Sequence, residues 1–241
     1  MKRTERSEIM AEDTTQKRVV IIGGHGKIAL LAAPKLVAAG WQVTSVVRNP
    51  GHISEVEQTG ATAELLDVEK ASTEEIAQIF AGAEAVVFSA GAGGGNPART
   101  KAVDYEAAVR TMDAAESAGV KRYVMVSYVR SQVDVHTLDQ SSSFYPYAEA
   151  KHRADQHLRG TSLDYTILGP GKLTLEPASG KILVTDAEAA AATTSQGGNE
   201  ATETSRENVA EVIAHVLNTG AGHRETVNFF DGTTPIAEAI S

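Results

Sequence analysis

The chain has 241 residues, carries a formal net charge of −9 and contains no cysteine. The negative charge argues against a nucleic-acid-binding protein, whose affinity depends on a basic surface, and the missing cysteines exclude disulfide bonds and thiolate zinc sites. No apolar run is long enough to span a bilayer, and the charged first residues lack the apolar core of a signal peptide, so we expect a cytoplasmic protein that enters no membrane.

Strands and helices alternate along the chain from residue 18 onward. Short β-branched runs predict strands at residues 18–22, 42–47, 62–66, 85–89, 122–127 and 164–168. The intervening segments predict helices at residues 27–39, 53–58, 73–80, 102–118 and 147–159. This alternation predicts an α/β protein with a single doubly wound, Rossmann-type parallel sheet and helices on both faces. Such a sheet binds ligands at the carboxyl ends of its strands, where the strand order reverses.

We expect one domain preceded by a short extension. Residues 1–17 are predicted to form a disordered N-terminal extension, and residues 18–241 a single dinucleotide-binding domain. Two stretches interrupt the alternation, and we expect them to supply small substrate-binding elements, at residues 130–146 and 171–204. Within the second stretch, residues 187–204 are rich in alanine, threonine, serine and glycine, which predicts a mobile surface segment.

A glycine-rich loop joins the first predicted strand to the first predicted helix. Its residues are Gly23, Gly24, His25, Gly26, Lys27 and Ile28. Gly23 permits a tight turn, Gly26 lets the backbone approach a pyrophosphate, and the helix N-terminus favours anionic phosphate groups. An ordinary glycine turn is the alternative, but the position of the loop in the first β-α-β unit favours dinucleotide binding, and His25 is better explained by cofactor contact than by metal binding.

The residues after the second predicted strand bear on the choice of cofactor. NAD-binding proteins usually carry an acidic residue there, whereas this chain has Arg48 and Asn49. A guanidinium group can bind a 2′-phosphate through two parallel hydrogen bonds, and Lys27 would add positive charge nearby. The sequence therefore predicts NADP(H) in preference to NAD(H), unless Arg48 is only a solvated surface residue.

Further motifs recur in an order that resembles a known superfamily. They are the glycine loop, Leu65-Leu66-Asp67-Val68, Ser89-Ala90-Gly91-Ala92, Gly119-Val120-Lys121-Arg122-Tyr123, Val126-Ser127 and Tyr147-x-x-x-Lys151. Together they resemble the short-chain dehydrogenase/reductase superfamily, and in particular its atypical branch of NmrA-like and nucleoside-diphosphate-sugar-epimerase-like proteins. The resemblance covers residues 18–240.

The resemblance implies cofactor contacts beyond the glycine loop. The residues concerned are Asp67 and Val68 beside the adenine ring, Ala90, Gly91 and Ala92 over the adenosine ribose, and Pro170 and Gly171 beside the nicotinamide. Family members often carry an arginine directly before this Pro-Gly pair, whereas this chain has Gly169. Any contact that the arginine makes in the family is therefore in doubt here.

Ser127, Tyr147 and Lys151 form the candidate catalytic set. Tyr147 and Lys151 are four residues apart, so they share one face of a helix. We expect the lysine ammonium group to lower the pKa of the tyrosine phenol from its ordinary value of about 10, and to hydrogen-bond the nicotinamide ribose. Ser127 would orient the substrate oxygen while Tyr147 passes the proton. Alternatively, the tyrosine packs and the lysine only extends to solvent, and Tyr128 and Tyr145 compete for the role of proton donor.

These features predict an NADP(H)-dependent oxidoreductase or epimerase that transfers a hydride to or from a small carbonyl or alcohol substrate, as a monomer or a homodimer. One alternative is a non-catalytic regulatory protein that senses NAD(P). Another is a flavin or tetrapyrrole reductase that does not use Tyr147. The seven histidines show no metal-ligand spacing, so we expect no metal site.

Overall fold

A computed structural model describes residues 17–93, 96–190 and 202–241 of the chain. The strands are β1 (Arg18–Ile22), β2 (Gln42–Val47), β3 (Thr62–Leu65), β4 (Ala85–Phe88), β5 (Arg122–Val126), β6 (Asp164–Pro170), β7 (Lys172–Thr174), β8 (Lys181–Thr185), β9 (Glu203–Ser205), β10 (Glu225–Asp231) and β11 (Thr234–Pro235). The helices are α1 (Lys27–Ala38), α2 (Ile53–Glu57), α3 (Thr73–Phe80), α4 (Pro97–Thr100), α5 (Ala108–Ser117), α6 (Tyr145–Gly160), α7 (Arg206–Thr219) and α8 (Ile236–Ala239).

Nine of the described strands form one sheet in the order β11-β8-β10-β6-β5-β4-β1-β2-β3. The seven strands from β10 to β3 are parallel, and the order reverses between β1 and β4. The predicted doubly wound, Rossmann-type sheet is therefore confirmed. It differs from the prediction at one edge, where β8 pairs antiparallel with both β10 and β11, and β7 and β9 form a separate parallel pair.

Helices cover both faces of the sheet, as predicted. In β1, Val19 and Ile21 pack with the apolar residues of α1 and α7. The alternate residues Val20 and Ile22 pack with α3, α5 and α6. The strand is apolar throughout because successive side chains point to opposite faces and both faces are covered.

Two predicted helices begin earlier than expected. The helix predicted at residues 102–118 begins with α4 and continues through a π-helical segment, Lys101–Ala107, into α5. The wider π-helical turns place Asp104 in the interior, where it is 2% exposed. Helix α6 begins at Tyr145 because Pro146 lies in its first turn, where the missing N–H has no intrahelical partner to lose.

The expected disordered extension lies outside the described residues, apart from Lys17, and so does most of the segment expected to be mobile, at residues 191–201. Within the described part of the chain, no helix is both long enough and apolar enough to cross a membrane.

Candidate functional site

The glycine loop packs tightly against two strand ends. Gly23 has a φ of +81°, and a Cβ atom added to it would lie 2.7 Å from the Cα of Ala90. The N–H of Gly24 donates to the carbonyl of Val46 at 2.9 Å, and an added Cβ would lie 2.6 Å from the Cβ of Ser45. Both positions therefore require glycine for reasons of space, and Gly23 also for its backbone conformation.

Helix α1 begins with its N-terminal N–H groups uncapped. Gly26 is the N-cap residue, no side chain caps the helix, and its first turn contains no acidic residue. These N–H groups and the helix dipole favour an anion at this end of the helix.

A cleft of about 300 Å³, which we call the switch-point cleft, opens beside this loop where the strand order reverses. The predicted residues that line it are Gly23, His25, Gly26, Arg48, Asp67, Val68, Ala90 and Gly91. It is also lined by His52, Glu69, Ser89 and Arg99, to which sequence reasoning assigned no role. Its position is the one at which doubly wound sheets bind ligands.

Five of the cofactor residues predicted in the turns after the first four strands do not line this cleft. They are Gly24 and Ile28, which are buried, Lys27, which is exposed, Asn49, whose side chain accepts from the N–H of Gly51, and Ala92, whose N–H donates to Asp104 at 3.1 Å. The positive charge expected from Lys27 is therefore directed to solvent rather than into the cleft.

Arg48 is part of an ion-pair network. Its Nη1 donates to Oε1 of Glu69 at 2.6 Å, and Nη2 of Arg99 donates to the same oxygen at 2.9 Å. The Arg48 side chain is still 53% exposed at the mouth of the cleft. Glu69 lies two residues after the predicted contact Asp67, so the sequence could have predicted that it lies near the cleft. No local sequence pattern predicts that Arg99 lies there.

Ser89 supplies a second polar group to the cleft. Its Oγ is buried and has no hydrogen-bond partner among the described residues. A buried hydroxyl without a partner is costly, so a bound molecule that hydrogen-bonds it would be favoured. The uncapped helix end, Arg48 and Ser89 together fit an anionic dinucleotide.

A second cavity of about 370 Å³, which we call the aromatic cavity, lies at the carboxyl ends of β5 and β6. It brings together four predicted residues from distant parts of the chain, namely Ser127, Tyr147, Pro170 and Gly171. The rings of Tyr128, Phe144 and Tyr147 form one wall, with their centroids 5.4–5.5 Å apart. Tyr145, one of the two competing tyrosines, does not line this cavity.

The backbone at Gly169 explains one departure from the family pattern. A Cβ atom added there would lie 2.1 Å from Oδ1 of Asn228 on β10 and 3.2 Å from the carbonyl oxygen of Tyr128. The neighbouring strand therefore occupies the space that an arginine side chain at this position would need.

Buried charged groups lie behind the aromatic cavity. Lys151 is 2% exposed, and its Nζ donates to the carbonyl of Val126 at 2.7 Å. The hydroxyl of Ser127 donates to Oδ2 of Asp155 at 2.7 Å. Burial lowers the pKa of Lys151 and raises those of Asp104 and Asp155, and the opposite charges partly offset these shifts. Asp155 lies one helical turn after Lys151, so the four-residue spacing could have predicted that it shares the helix face of Tyr147 and Lys151.

The expected effect of Lys151 on Tyr147 is wrong for this structure. Burial raises the pKa of the Tyr147 phenol well above its ordinary value, and the carboxylates of Asp104 and Asp155 raise it further. The lysine ammonium group instead donates to the Val126 carbonyl. Tyr147 is therefore a neutral phenol at physiological pH, which is the protonated form that a proton donor requires, and the phenolate that a base requires is not populated.

Metal-ligating side chains do not converge in the described parts of the chain. No group of three or more histidine, aspartate or glutamate residues lies close enough to hold a metal ion there.

Comparison with known proteins identifies the family. A family model described as NAD(P)H-binding matches residues 23–220. The chain belongs to this NAD(P)H-binding family. A UPF0659 protein of Schizosaccharomyces pombe is 34% identical, covering 92% of this chain and 93% of its own. A Bacillus subtilis protein named a sugar epimerase of uncharacterised function is 32% identical, with coverages of 92% and 98%.

Solved structures of related proteins share the fold. A protein of Bacillus halodurans, named as a candidate NAD-dependent epimerase/dehydratase, is 32% identical with a TM-score of 0.79, covering 92% of this chain and 97% of its own. The oxidoreductase ylbE of Lactococcus lactis is 28% identical with a TM-score of 0.77, with coverages of 92% and 94%. The resemblance to atypical short-chain dehydrogenases/reductases is thus confirmed, and the chain is a member of an NAD(P)-binding, oxidoreductase- and epimerase-like family.

Proposed function

We propose that this chain is an NADP(H)-dependent oxidoreductase that reduces a small carbonyl substrate, with Tyr147 as the proton donor. The observation that carries the proposal is that Ser127 and Tyr147 line the same cavity, where burial keeps the phenol neutral. A neutral acid facing a substrate oxygen is suited to reduction, in which that oxygen must gain a proton.

The switch-point cleft would hold the adenosine and pyrophosphate part of the cofactor. Its uncapped helix end suits the pyrophosphate, and the buried hydroxyl of Ser89 lacks a partner within the described residues. Arg48 supports NADP(H), because its exposed guanidinium group could bind a 2′-phosphate in exchange for Glu69. When bound, the nicotinamide would supply the hydride that reduces the carbonyl carbon.

Tyr147 would donate the proton to the carbonyl oxygen as negative charge develops there, and would then be reprotonated from solvent. The Ser127 hydroxyl donates its only hydrogen to Asp155. Its oxygen can therefore accept a hydrogen bond from another group but cannot donate one to the substrate. The hydrogen bond from Lys151 to the Val126 carbonyl connects α6 to the end of β5. Tyr147 lies one helical turn before Lys151, so the same hydrogen bond keeps Tyr147 at the cavity.

An epimerase is the second candidate, favoured by the names of related proteins, and an alcohol dehydrogenase, which runs the proposed reaction in reverse, is considered with it. Either reaction would require Tyr147 to accept a proton. Its raised pKa opposes that role, because the phenolate is the less stable form in this surrounding.

The decisive variant is Tyr147→Phe, with Tyr145→Phe as a matched control outside the cavity. NADPH consumption is measured against a panel of aldehydes and ketones, and NADPH affinity by calorimetry. We expect Tyr147→Phe to slow turnover about 100-fold or more while leaving NADPH affinity unchanged. Tyr145→Phe should match the unmodified protein.

Two results would contradict the proposal. Turnover that survives in Tyr147→Phe but is lost in Tyr128→Phe would reassign the proton donor. NADPH binding without turnover on any carbonyl in the panel would favour a regulatory protein that senses the cofactor.

A further inference from the structure

The aromatic cavity contains an arginine without a partner among the described residues. Arg130 lines the cavity, its Nε is buried, and the side chain makes no hydrogen bond or ion pair with any described residue. A buried guanidinium N–H without an acceptor is costly, which points to an acceptor supplied by a ligand.

The other cation at this cavity is already paired. Nζ of Lys172 lies 2.8 Å from Oε1 of Glu203, and its side chain is largely exposed. Of the two described cations that line the cavity, Arg130 is therefore the one that is available to bind a ligand. Among the described residues, no aspartate or glutamate lines this cavity, although the whole chain has a net charge of −9. The carboxylates of Asp104 and Asp155 lie behind the cavity and interact with the Lys151 ammonium group, so the lining itself offers the Arg130 cation to an anionic ligand.

The remaining walls suit a flat, apolar body. Tyr128, Phe144 and Tyr147 present rings at tilted or perpendicular angles, and Phe144 is 49% exposed. Pro170 and Leu173 add further apolar surface to the lining. Aromatic rings arranged in this way pack well against the face or edge of another ring.

We propose that the substrate is an aromatic or conjugated carbonyl compound that also carries a carboxylate, with Arg130 binding the carboxylate and the three rings holding the flat body. This inference rests on the proposed function for the position of the carbonyl at Ser127 and Tyr147. Arginine suits the task because its planar fork matches both oxygens of a carboxylate. A phosphate group of the cofactor is not the ligand, since Arg130 lines the aromatic cavity and not the switch-point cleft.

The test compares two probes, 4-carboxybenzaldehyde and its methyl ester, which share the aromatic aldehyde and differ in whether the second group is an ionised carboxylate. Binding to the full chain is measured by calorimetry, without cofactor and with saturating NADP⁺, so that no reduction takes place. We expect the carboxylate to bind about 10-fold or more tightly than the ester. Arg130→Gln should reduce this preference to within about twofold, and Arg130→Lys should retain part of it.

A matched control removes a cation elsewhere. Lys121 is exposed and directly precedes β5, at the opposite end of the sheet from the cavity, so Lys121→Gln should leave the preference unchanged. Equal binding of ester and carboxylate, no binding of either, or a preference that survives Arg130→Gln would overturn the inference. Turnover of both probes with NADPH is measured separately. Its absence alongside a carboxylate preference would contradict the proposed function but not the proposed ligand class.

Discussion

The two cavities at the carboxyl edge of the sheet are built in different ways. The switch-point cleft is formed by consecutive turns after β1, β2, β3 and β4, and its polar groups are a helix end, a network of ion pairs and one hydroxyl. The aromatic cavity is formed by segments far apart in the chain, and its character comes from three rings and an arginine that no described residue pairs with. The first is suited to a charged ligand common to many proteins, and the second to a ligand particular to this one.

The largest expected effect concerns the backbone of the switch-point cleft. Gly23→Ala should abolish measurable NADPH binding and destabilise the fold by about 2 kcal/mol or more, because the new Cβ would meet the backbone of Ala90 at a positive φ. Gly40→Ala is the matched control, since Gly40 has a φ of +89° but nothing within 4 Å of its added Cβ. It should cost only about 1 kcal/mol, the penalty for the conformation alone. Urea unfolding and calorimetry measure both effects, and equal losses in the two variants would show that close packing at Ala90 is unimportant.

A smaller effect is expected at the aromatic cavity, from Asp155→Asn. The reduction needs the neutral Tyr147 phenol and is lost as the pH rises through its pKa. Burial is the largest cause of the raised pKa of Tyr147, and the negative charges of Asp104 and Asp155 and the nearby Tyr128 raise it further. The Lys151 ammonium group interacts with the same two carboxylates. Removing the Asp155 charge therefore lowers the pKa of Tyr147, and the alkaline loss of activity should begin at a lower pH.

The same variant should slow turnover about tenfold at neutral pH, because Ser127 loses its charged acceptor. A pH–rate profile measures both changes. Asp113→Asn, at a half-exposed carboxylate that pairs with His157, is the control. An alkaline limb that does not move, or that moves equally in the control, would argue against Asp155 as a positioning residue.

The smallest effect is expected from Glu69→Gln. The Glu69 carboxylate would repel a 2′-phosphate that approaches Arg48, so its neutralisation should strengthen NADPH binding about threefold and leave NADH binding unchanged. Glu64→Gln, at an exposed position on β3, should change neither. Parallel titrations with the two cofactors provide the comparison. Weaker NADPH binding in Glu69→Gln would instead mean that Glu69 is needed to orient Arg48.

The contrast between the cavities also explains what the sequence could predict. The glycine loop, Arg48 and Asp67 each lie within two residues of a strand end, so local pattern alone places them at one edge of a parallel sheet. Arg99 reaches the same cleft only through tertiary folding, since it lies on α4 and contacts Glu69 thirty residues away.

The aromatic cavity was predictable only in part. The four-residue spacing of Tyr147 and Lys151 was informative, but the pKa of Tyr147 depends on burial, which the sequence does not give. The antiparallel strands β8 and β11 were missed because they follow Pro170, where the β-α alternation ends. The unpaired state of Arg130 became visible only with the packing of its neighbours.

The most direct test of the account is a titration of the unmodified chain and of Arg48→Ala with NADPH and NADH, followed by calorimetry. We expect the unmodified chain to prefer NADPH, and Arg48→Ala to weaken NADPH binding about tenfold or more while leaving NADH binding unchanged. A preference for NADH, or an equal loss for both cofactors in the variant, would contradict the role given to Arg48. Failure to bind either cofactor would contradict the account as a whole.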